Sequence, residues 1–384
     1  MRILFAATRA AGHFYPLVPI VEACRRRGHE LRISGPPQLA ATVEAAGYPF
    51  AMFSAPPEDE LEEIWARVPS LSPEEQNRTV IGQIFGHLNT AASILGLSDL
   101  CEEWRPEVVV RDPAEFGSTL AAELHGIPQA RVAIGLGALE ELTLRVVAEV
   151  LDQLRKSVGL QPDPGAEHIR RTPYLTAFPS SLERPDLPQQ ADTRRFRDPA
   201  WDEPAGELPD WWPGNDAPLV YVTFGSVAGG GEMGMQLFGG AIEALAELPI
   251  RVLLTVGREF DPAALDAPPH VRVERWVPQA DVLGHASAVV CHGGSGTTLG
   301  ALAAGLPLVV LPLFADQPQN ADRVAAVGAG LAVRPRSPPA VRDAVLRVLE
   351  DYSYRDAARA VAAELRRHPH ADSVTEGLER LVGA

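Results

Sequence analysis

At 384 residues the chain exceeds what one hydrophobic core usually holds, so two domains are expected. With 46% hydrophobic and 22% charged residues it reads as globular rather than disordered or fibrous. The formal charge of −16 leaves no basic stripe for a phosphodiester backbone, which argues against nucleic acid as a partner and makes any phosphorylated ligand depend on local donors.

Arg2 to Ala7 opens the chain as a strand, too short an apolar run for a signal peptide. After Gly12 and His13, apolar Leu17, Val18, Val21 and Cys24 recur at helical spacing until Arg25, Arg26, Arg27 and Gly28 supply a cationic last turn and a stop. A second strand is predicted at Leu31 to Ser34. From Ala55 to Leu100 prolines at 56, 57, 69 and 73 loosen the pattern, and Ile81 to Leu95 is helical with apolar residues on more than one side. Such inserted helices either build a substrate pocket or serve as peripheral packing. Glu107 to Val110 is a buried strand, followed by Asp112, a helix from about Glu115 to His125, and a strand near Arg131 to Ile134. Pro185 to Pro218, proline-rich, charged and bearing tryptophans, reads as a linker. A second series of strands follows at Leu219 to Phe224, Ile250 to Val256, Val271 to Arg275, Ala288 to Cys291 and Leu308 to Leu313, with helices between them. The alternation predicts an α/β protein of two doubly wound, Rossmann-like halves whose strand ends face a cleft, where ligands normally bind. The expected division is 1–205, 206–365, and a final segment 366–384.

No apolar run approaches the roughly 20 residues of a membrane span, so no stable membrane insertion and a cytoplasmic location are expected. Cys24, Cys101 and Cys291 are widely spaced, which fits core residues in a reducing compartment rather than disulfides or a zinc site. No Asp-x-Asp pair occurs, so no metal is expected; no resident cofactor is expected either.

Chemistry concentrates at the strand ends. Cys291-His292-Gly293-Gly294-Ser295-Gly296-Thr297-Thr298 turns a strand into a helix through small residues, so backbone N–H groups and hydroxyls can approach an anion. Alone, this could be an ordinary strand-to-helix turn. The next strand, however, opens onto Phe314-Ala315-Asp316-Gln317, whose carboxylate and amide suit a polyhydroxylated group attached to that anion. Trp276 and Val277 close another strand, where the indole could stack on a base or pack between domains. Ser226, after Gly225, is a further candidate phosphate or nucleotide contact. In the first half, His13 stands at the carboxyl edge of the sheet, with an ordinary pKa of about 6.5 suited to accepting a proton. Asp112 occupies the equivalent place after the Glu107 to Val110 strand, where it could orient the imidazole, cap the next helix with Pro113, or do both. Glu115, one turn further on, could replace it.

Gly12-His13-x-x-Pro16-x-x-Pro19, the Trp276 to Gln279 box, His292 to Thr298, and Asp316-Gln317 together resemble the inverting natural-product glycosyltransferases of GT-B fold, especially bacterial enzymes that decorate antibiotics. The resemblance spans nearly the whole chain and is weakest at 56–100 and 136–161, where such enzymes differ with their acceptors. It implies a nucleotide-diphosphate sugar, with a dTDP link favoured, as co-substrate and an apolar aglycone as acceptor. Gly12, Ser226, Trp276, Val277, His292, Gly294, Ser295, Gly296, Thr297, Asp316 and Gln317 would contact the donor, His13 would be the base and Asp112 its orienter. The last helix, around Ser373 to Val382, would pack back on the first domain. Trp65, Phe85, Phe116 and Leu136 are candidates for the acceptor wall or for plain core. A sugar-nucleotide epimerase of the same fold and a non-catalytic sugar-nucleotide-binding helper remain alternatives, and a homodimer stays open.

Overall fold

A computed structural model describes residues 1–225 and 231–383. The chain packs as two compact units, one formed by Met1–Ala177, Pro185–Phe196 and the segment from Pro369 on, the other by Phe178–Arg184 and Arg197–His368.

The first unit is built on seven strands: β1 (Arg2–Ala6), β2 (Glu30–Gly35), β3 (Phe50–Met52), β4 (Val108–Arg111), β5 (Gln129–Val132), β6 (Tyr174–Thr176) and β7 (Thr193–Arg195). They lie in the order β3-β2-β1-β4-β5-β6-β7 with every neighbouring pair parallel. Helices cover the sheet, so its central strands read as unbroken apolar runs rather than alternating ones. Ile3, Phe5, Val108, Val110, Ala130 and Val132 join Leu17 and, on the helix Val18–Arg26, Ile20, Val21 and Cys24 in one core. The helix Asp372–Val382 closes that core with Val374 and Leu378. The Thr375 hydroxyl lies 3.4 Å from Cys24 Sγ, and Arg27 reaches Glu379 at 2.9 Å.

The second unit holds β8 (Leu219–Thr223), β9 (Arg251–Thr255), β10 (Val271–Glu274), β11 (Ala288–Cys291), β12 (Leu308–Val310) and β13 (Gly330–Ala332), all parallel in the order β10-β9-β8-β11-β12-β13. Both sheets therefore reverse their winding once, between β1 and β4 and between β8 and β11. A crevice opens at such a point beyond the carboxyl ends of the strands, and ligands bind there in doubly wound proteins. His13 and Asp112 follow β1 and β4, while the His292 turn follows β11.

The expected linker is partly ordered sheet. Thr193–Arg195 forms the edge strand β7, paired through its backbone with Tyr174–Thr176, and its polar side chains gave no apolar signal. Trp211 and Trp212 lie under Arg272 and Arg251 at 5.8 and 5.7 Å. The strand at Arg131 begins two residues earlier, at Gln129, and β12 stops at Val310 just before Leu311 and Pro312, the latter having no N–H to extend a ladder. One continuous helical run, Glu74–Trp104, is long and apolar enough by length and composition to cross a membrane, with a mean hydropathy of 1.3 over its most apolar window. It holds no unbroken apolar stretch, since Gln83, Asn89, Thr90 and Ser93 interrupt it, and a core helix meets the same criteria: Leu97, Cys101 and Trp104 pack in the core of this unit. Within this run Val80–Asn89 is π-helical, a widened turn that is rare and often marks a functional site.

Candidate active site

In the first unit, the chain leaving β1 turns into the four-residue helix Ala11–Phe14, which carries His13. Its Nδ1 lies 3.1 Å from Asp112 Oδ1, with the histidine side chain 17% exposed and the aspartate fully buried. Asp112 Oδ2 accepts the Thr8 N–H at 2.7 Å, and Oδ1 also accepts the Ala114 N–H at 2.7 Å. A carboxylate in this setting only accepts, so Nδ1 donates and Nε2 carries the ring's lone pair. The Phe85 ring stands 5.6 Å from the imidazole.

Glu115 does another job. Its Oε1 accepts the Gly117 N–H at 3.1 Å and the Ser93 hydroxyl at 3.2 Å, and its Oε2 accepts the Ser118 N–H at 2.9 Å. The two N–H groups are orphan donors of the helix Gly117–Leu124, which starts later than predicted. Asp112 thus closes a turn onto Ala114 instead of capping the helix, and the carboxylate against His13 is its own. Burial pushes the Glu115 carboxyl above its ordinary range, with the neighbouring Asp112 charge acting the same way.

In the second unit, the turn after β11 admits only small residues. Gly293 has φ +89°, and a Cβ there would lie 2.7 Å from Val310 Cγ1 and 3.1 Å from the Gln317 carbonyl oxygen. A Cβ at Gly294, the N-cap of the helix Ser295–Ala303, would lie 2.4 Å from His292 Nε2. The imidazole of His292 is packed between Gly294 and Gly225. Burial lowers its pKa to about 4, against a smaller opposing effect of a hydrogen bond to the Thr223 backbone, and its Nδ1 has no hydrogen-bond partner among the described residues.

Asp316 Oδ2 accepts the Ser295 hydroxyl and the Asn320 amide, each at 2.8 Å, and the same amide reaches the Gly293 carbonyl at 2.8 Å. The Gln317 side-chain oxygen accepts the N–H groups of Leu313 and Phe314 at 2.8 and 3.1 Å, bracing a loop in which Ala315 takes φ +56°. Gln279 donates to the Thr297 hydroxyl at 3.2 Å. Gly296 faces open space. Trp276 is 57% exposed with the Arg258 guanidinium 5.3 Å from its ring, and Val277 beside it is half-buried. Ser226 and most of the glycine-rich loop after it lie outside the described residues.

The structure therefore brings His13 with Asp112 and Phe85 in one unit, and His292, Gly294, Ser295, Asp316 and Gln317 in the other. Gly12 has open space about its Cα. Of the acceptor candidates, Trp65 is 40% exposed on the helix Glu58–Arg67. Phe116 and Leu136, at 1% and 2% exposure, present no surface to a bound molecule: Phe116 packs with Leu144, Val147 and Leu151. Asn320 escaped the sequence reading. Its one signal is its place a helical turn after Asp316, where the two side chains share a face. Among the described residues no group of three or more His, Cys, Asp or Glu is arranged to hold a metal ion.

Two parallel, doubly wound sheets, with a histidine–carboxylate pair at one winding reversal and a tight glycine turn at the other, have the architecture of GT-B glycosyltransferases. The chain belongs to the erythromycin biosynthesis protein CIII-like family, matching its N-terminal domain over residues 22–169 and its C-terminal domain over residues 240–381. It is 32% identical to the 4'-demethylrebeccamycin synthase of Lentzea aerocolonigenes, covering 100% of this chain and 99% of that protein. It is likewise 32% identical to the elloramycin glycosyltransferase ElmGT of Streptomyces olivaceus, covering 100% and 98%. Among solved structures, the spinosyn rhamnosyltransferase SpnG superposes with a TM-score of 0.82 at 25% identity, covering 99% of this chain and 100% of that one. SpnG is also known complexed with thymidine diphosphate and with spinosyn aglycone. The chain is thus a natural-product glycosyltransferase of the antibiotic type.

Proposed function

We propose that the chain moves a sugar from a dTDP-linked donor to a hydroxyl of an apolar aglycone with inversion at the anomeric carbon, using His13 as general base. The observation that carries this reading is the 3.1 Å contact between His13 Nδ1 and the buried Asp112 carboxylate, which leaves Nε2 as the proton acceptor. The acceptor oxygen forms its bond to the anomeric carbon as the bond to the diphosphate oxygen breaks, and the acceptor's proton passes to Nε2. Asp112 fixes the tautomer and stabilises the imidazolium that results. The second unit stabilises the leaving group: the N–H groups at the start of the helix Ser295–Ala303 and the hydroxyls of Ser295 and Thr297 meet its charge, which replaces a metal in this reading. Trp276 and Val277 take the base, and Asp316 and Gln317 the sugar hydroxyls. Phe85 and Trp65 offer apolar surface to the aglycone. The thymidine diphosphate and aglycone complexes of SpnG support this choice of substrates.

The test is His13→Ala assayed with dTDP-sugars and a panel of aromatic and macrocyclic aglycones. Loss of base catalysis lowers kcat by roughly 10² to 10⁴, while calorimetry shows thymidine diphosphate binding unchanged. Proton-coupling constants of the product give the anomeric configuration. A variant that retains parental kcat overturns the base assignment, and isomerised sugar nucleotide formed from donor alone points to an epimerase.

A further inference from the structure

Beneath the His13–Asp112 pair lies a buried group of charges that this mechanism does not use. Arg111 of β4 and Arg131 of β5 are register partners on adjacent strands, and both side chains are fully buried. Arg131 ends on a carboxylate, with only its Nε lacking a partner among the described residues. It pairs with Glu140, donates to the Thr172 carbonyl at 3.1 Å, and stands 5.4 Å over the Tyr174 ring. Arg111 is held differently: its Nη1 donates to the carbonyls of Asp112 at 2.9 Å and of Glu115 at 3.2 Å. Its Nε and Nη2 have no hydrogen-bond partner among the described residues, and its guanidinium lies 5.6 Å from the Phe116 ring.

An arginine recruited for stability alone should end on a carboxylate, because a buried guanidinium with idle N–H groups is costly. Arg111 instead grips both ends of the 112–115 turn, the segment whose first residue presents its carboxylate to the imidazole. We infer that Arg111 is a positioning residue for catalysis: it clamps this turn so that Asp112 Oδ1 meets His13 Nδ1, and its buried positive charge keeps the imidazole from being protonated too readily. The inference rests on the reading of His13 as the base. The sign of the second effect follows from Coulomb's law. A positive charge beside Asp112 offsets part of the attraction that the carboxylate exerts on an imidazolium, so removing it favours the protonated ring.

The test compares Arg111→Met, which removes the charge and the clamp, with Arg111→Lys, which keeps the charge but ends one bond short of the Nη1 position that holds both carbonyls. Each is measured for unfolding midpoint, kcat, KM for donor and acceptor, and the pH profile of kcat/KM, with His13→Ala alongside. For Arg111→Met the expected result is a folded protein with parental donor KM, kcat lowered at least about tenfold, and the acid limb of the profile moved to higher pH. For Arg111→Lys the limb returns towards its parental position while kcat stays low. A folded Arg111→Met with parental kcat and profile overturns the inference, as does activity that falls only in proportion to folded protein in both variants. His13→Ala separates the two failures. Activity surviving in it sinks the base assignment, whereas an inactive His13→Ala beside a normal Arg111→Met sinks the positioning role alone.

Discussion

Asp112→Asn separates the structural from the catalytic use of one side chain. The carboxylate takes three donors, the N–H groups of Thr8 and Ala114 at 2.7 Å each and His13 Nδ1 at 3.1 Å. An asparagine has one acceptor oxygen. Placed towards Ala114 and His13, it confronts the Thr8 N–H with an NH₂ group; flipped, it does the same to Ala114 and His13. In either orientation a fully buried donor loses its partner, which costs about 1–3 kcal/mol. For a unit of this size that is a melting shift of about 2–4 °C per kcal/mol. In the flipped orientation Nδ1 must accept rather than donate, so Nε2 holds a hydrogen and cannot take the acceptor's proton. The expected fall in kcat, about 10² to 10⁴, corresponds to roughly 3–5 kcal/mol of barrier. The variant should therefore be folded at 25 °C yet nearly inactive, with donor affinity unchanged. The assay pairs thermal unfolding with kcat at saturating donor and acceptor. A folded Asp112→Asn with kcat within about threefold of parent would refute the orienting role, and an unshifted melting temperature would refute the hydrogen-bond accounting.

Two further expectations concern the second unit. Gly293→Ala must adopt φ +89° with its Cβ 2.7 Å from Val310 Cγ1; backbone strain of about 1–2 kcal/mol and overpacking of about 1–3 kcal/mol should lower the denaturation midpoint and weaken thymidine diphosphate binding, and an unaltered midpoint contradicts the close packing. His292, with its pKa lowered to about 4, stays neutral in the folded protein while the unfolded chain binds a proton near pH 6.5. Its contribution is absent above about pH 6.5 and becomes a destabilisation as pH falls towards 4, of about 3 kcal/mol in full. Urea titrations of parent and His292→Gln should diverge over that window, and parallel pH dependences would show the ring to be accessible to protons.

Legibility followed burial on both faces. The cores of β1, β4, β8 and β11 could be read because two-sided burial demands runs such as Val108-Val109-Val110 and Ala288-Val289-Val290. Three-residue strands such as β3, β6, β7 and β13 could not, since so few residues show no side-chain pattern and their membership is settled by backbone ladders. The tight turn after β11 was legible because sterics leave glycine alone at Gly293 and Gly294. The dyad was legible from strand ends. Its support was not: a buried arginine in a strand looks like any surface cation until a register partner and two carbonyls surround it. Asp112-Pro113 carries the signature of a helix start, yet the helix waits for Gly117, because the Glu115 carboxylate captures the first free N–H groups. The π-helical turn that carries Phe85 leaves no trace in the 3.6-residue periodicity from which helices are read.

The core around Cys24 is sealed by side chains more than three hundred positions downstream, Val374 and Leu378 among them. A ribosome making this protein releases the amino-terminal sheet early, but the apolar flank of the helix Val18–Arg26 must wait for the helix Asp372–Val382 before its cover arrives. Until then the nascent chain exposes a greasy seam that favours chaperone capture, and its completion is tied to a pairing of very high sequence separation, the slowest kind to form. Deleting the helix Asp372–Val382 should consequently harm the half that was synthesised first.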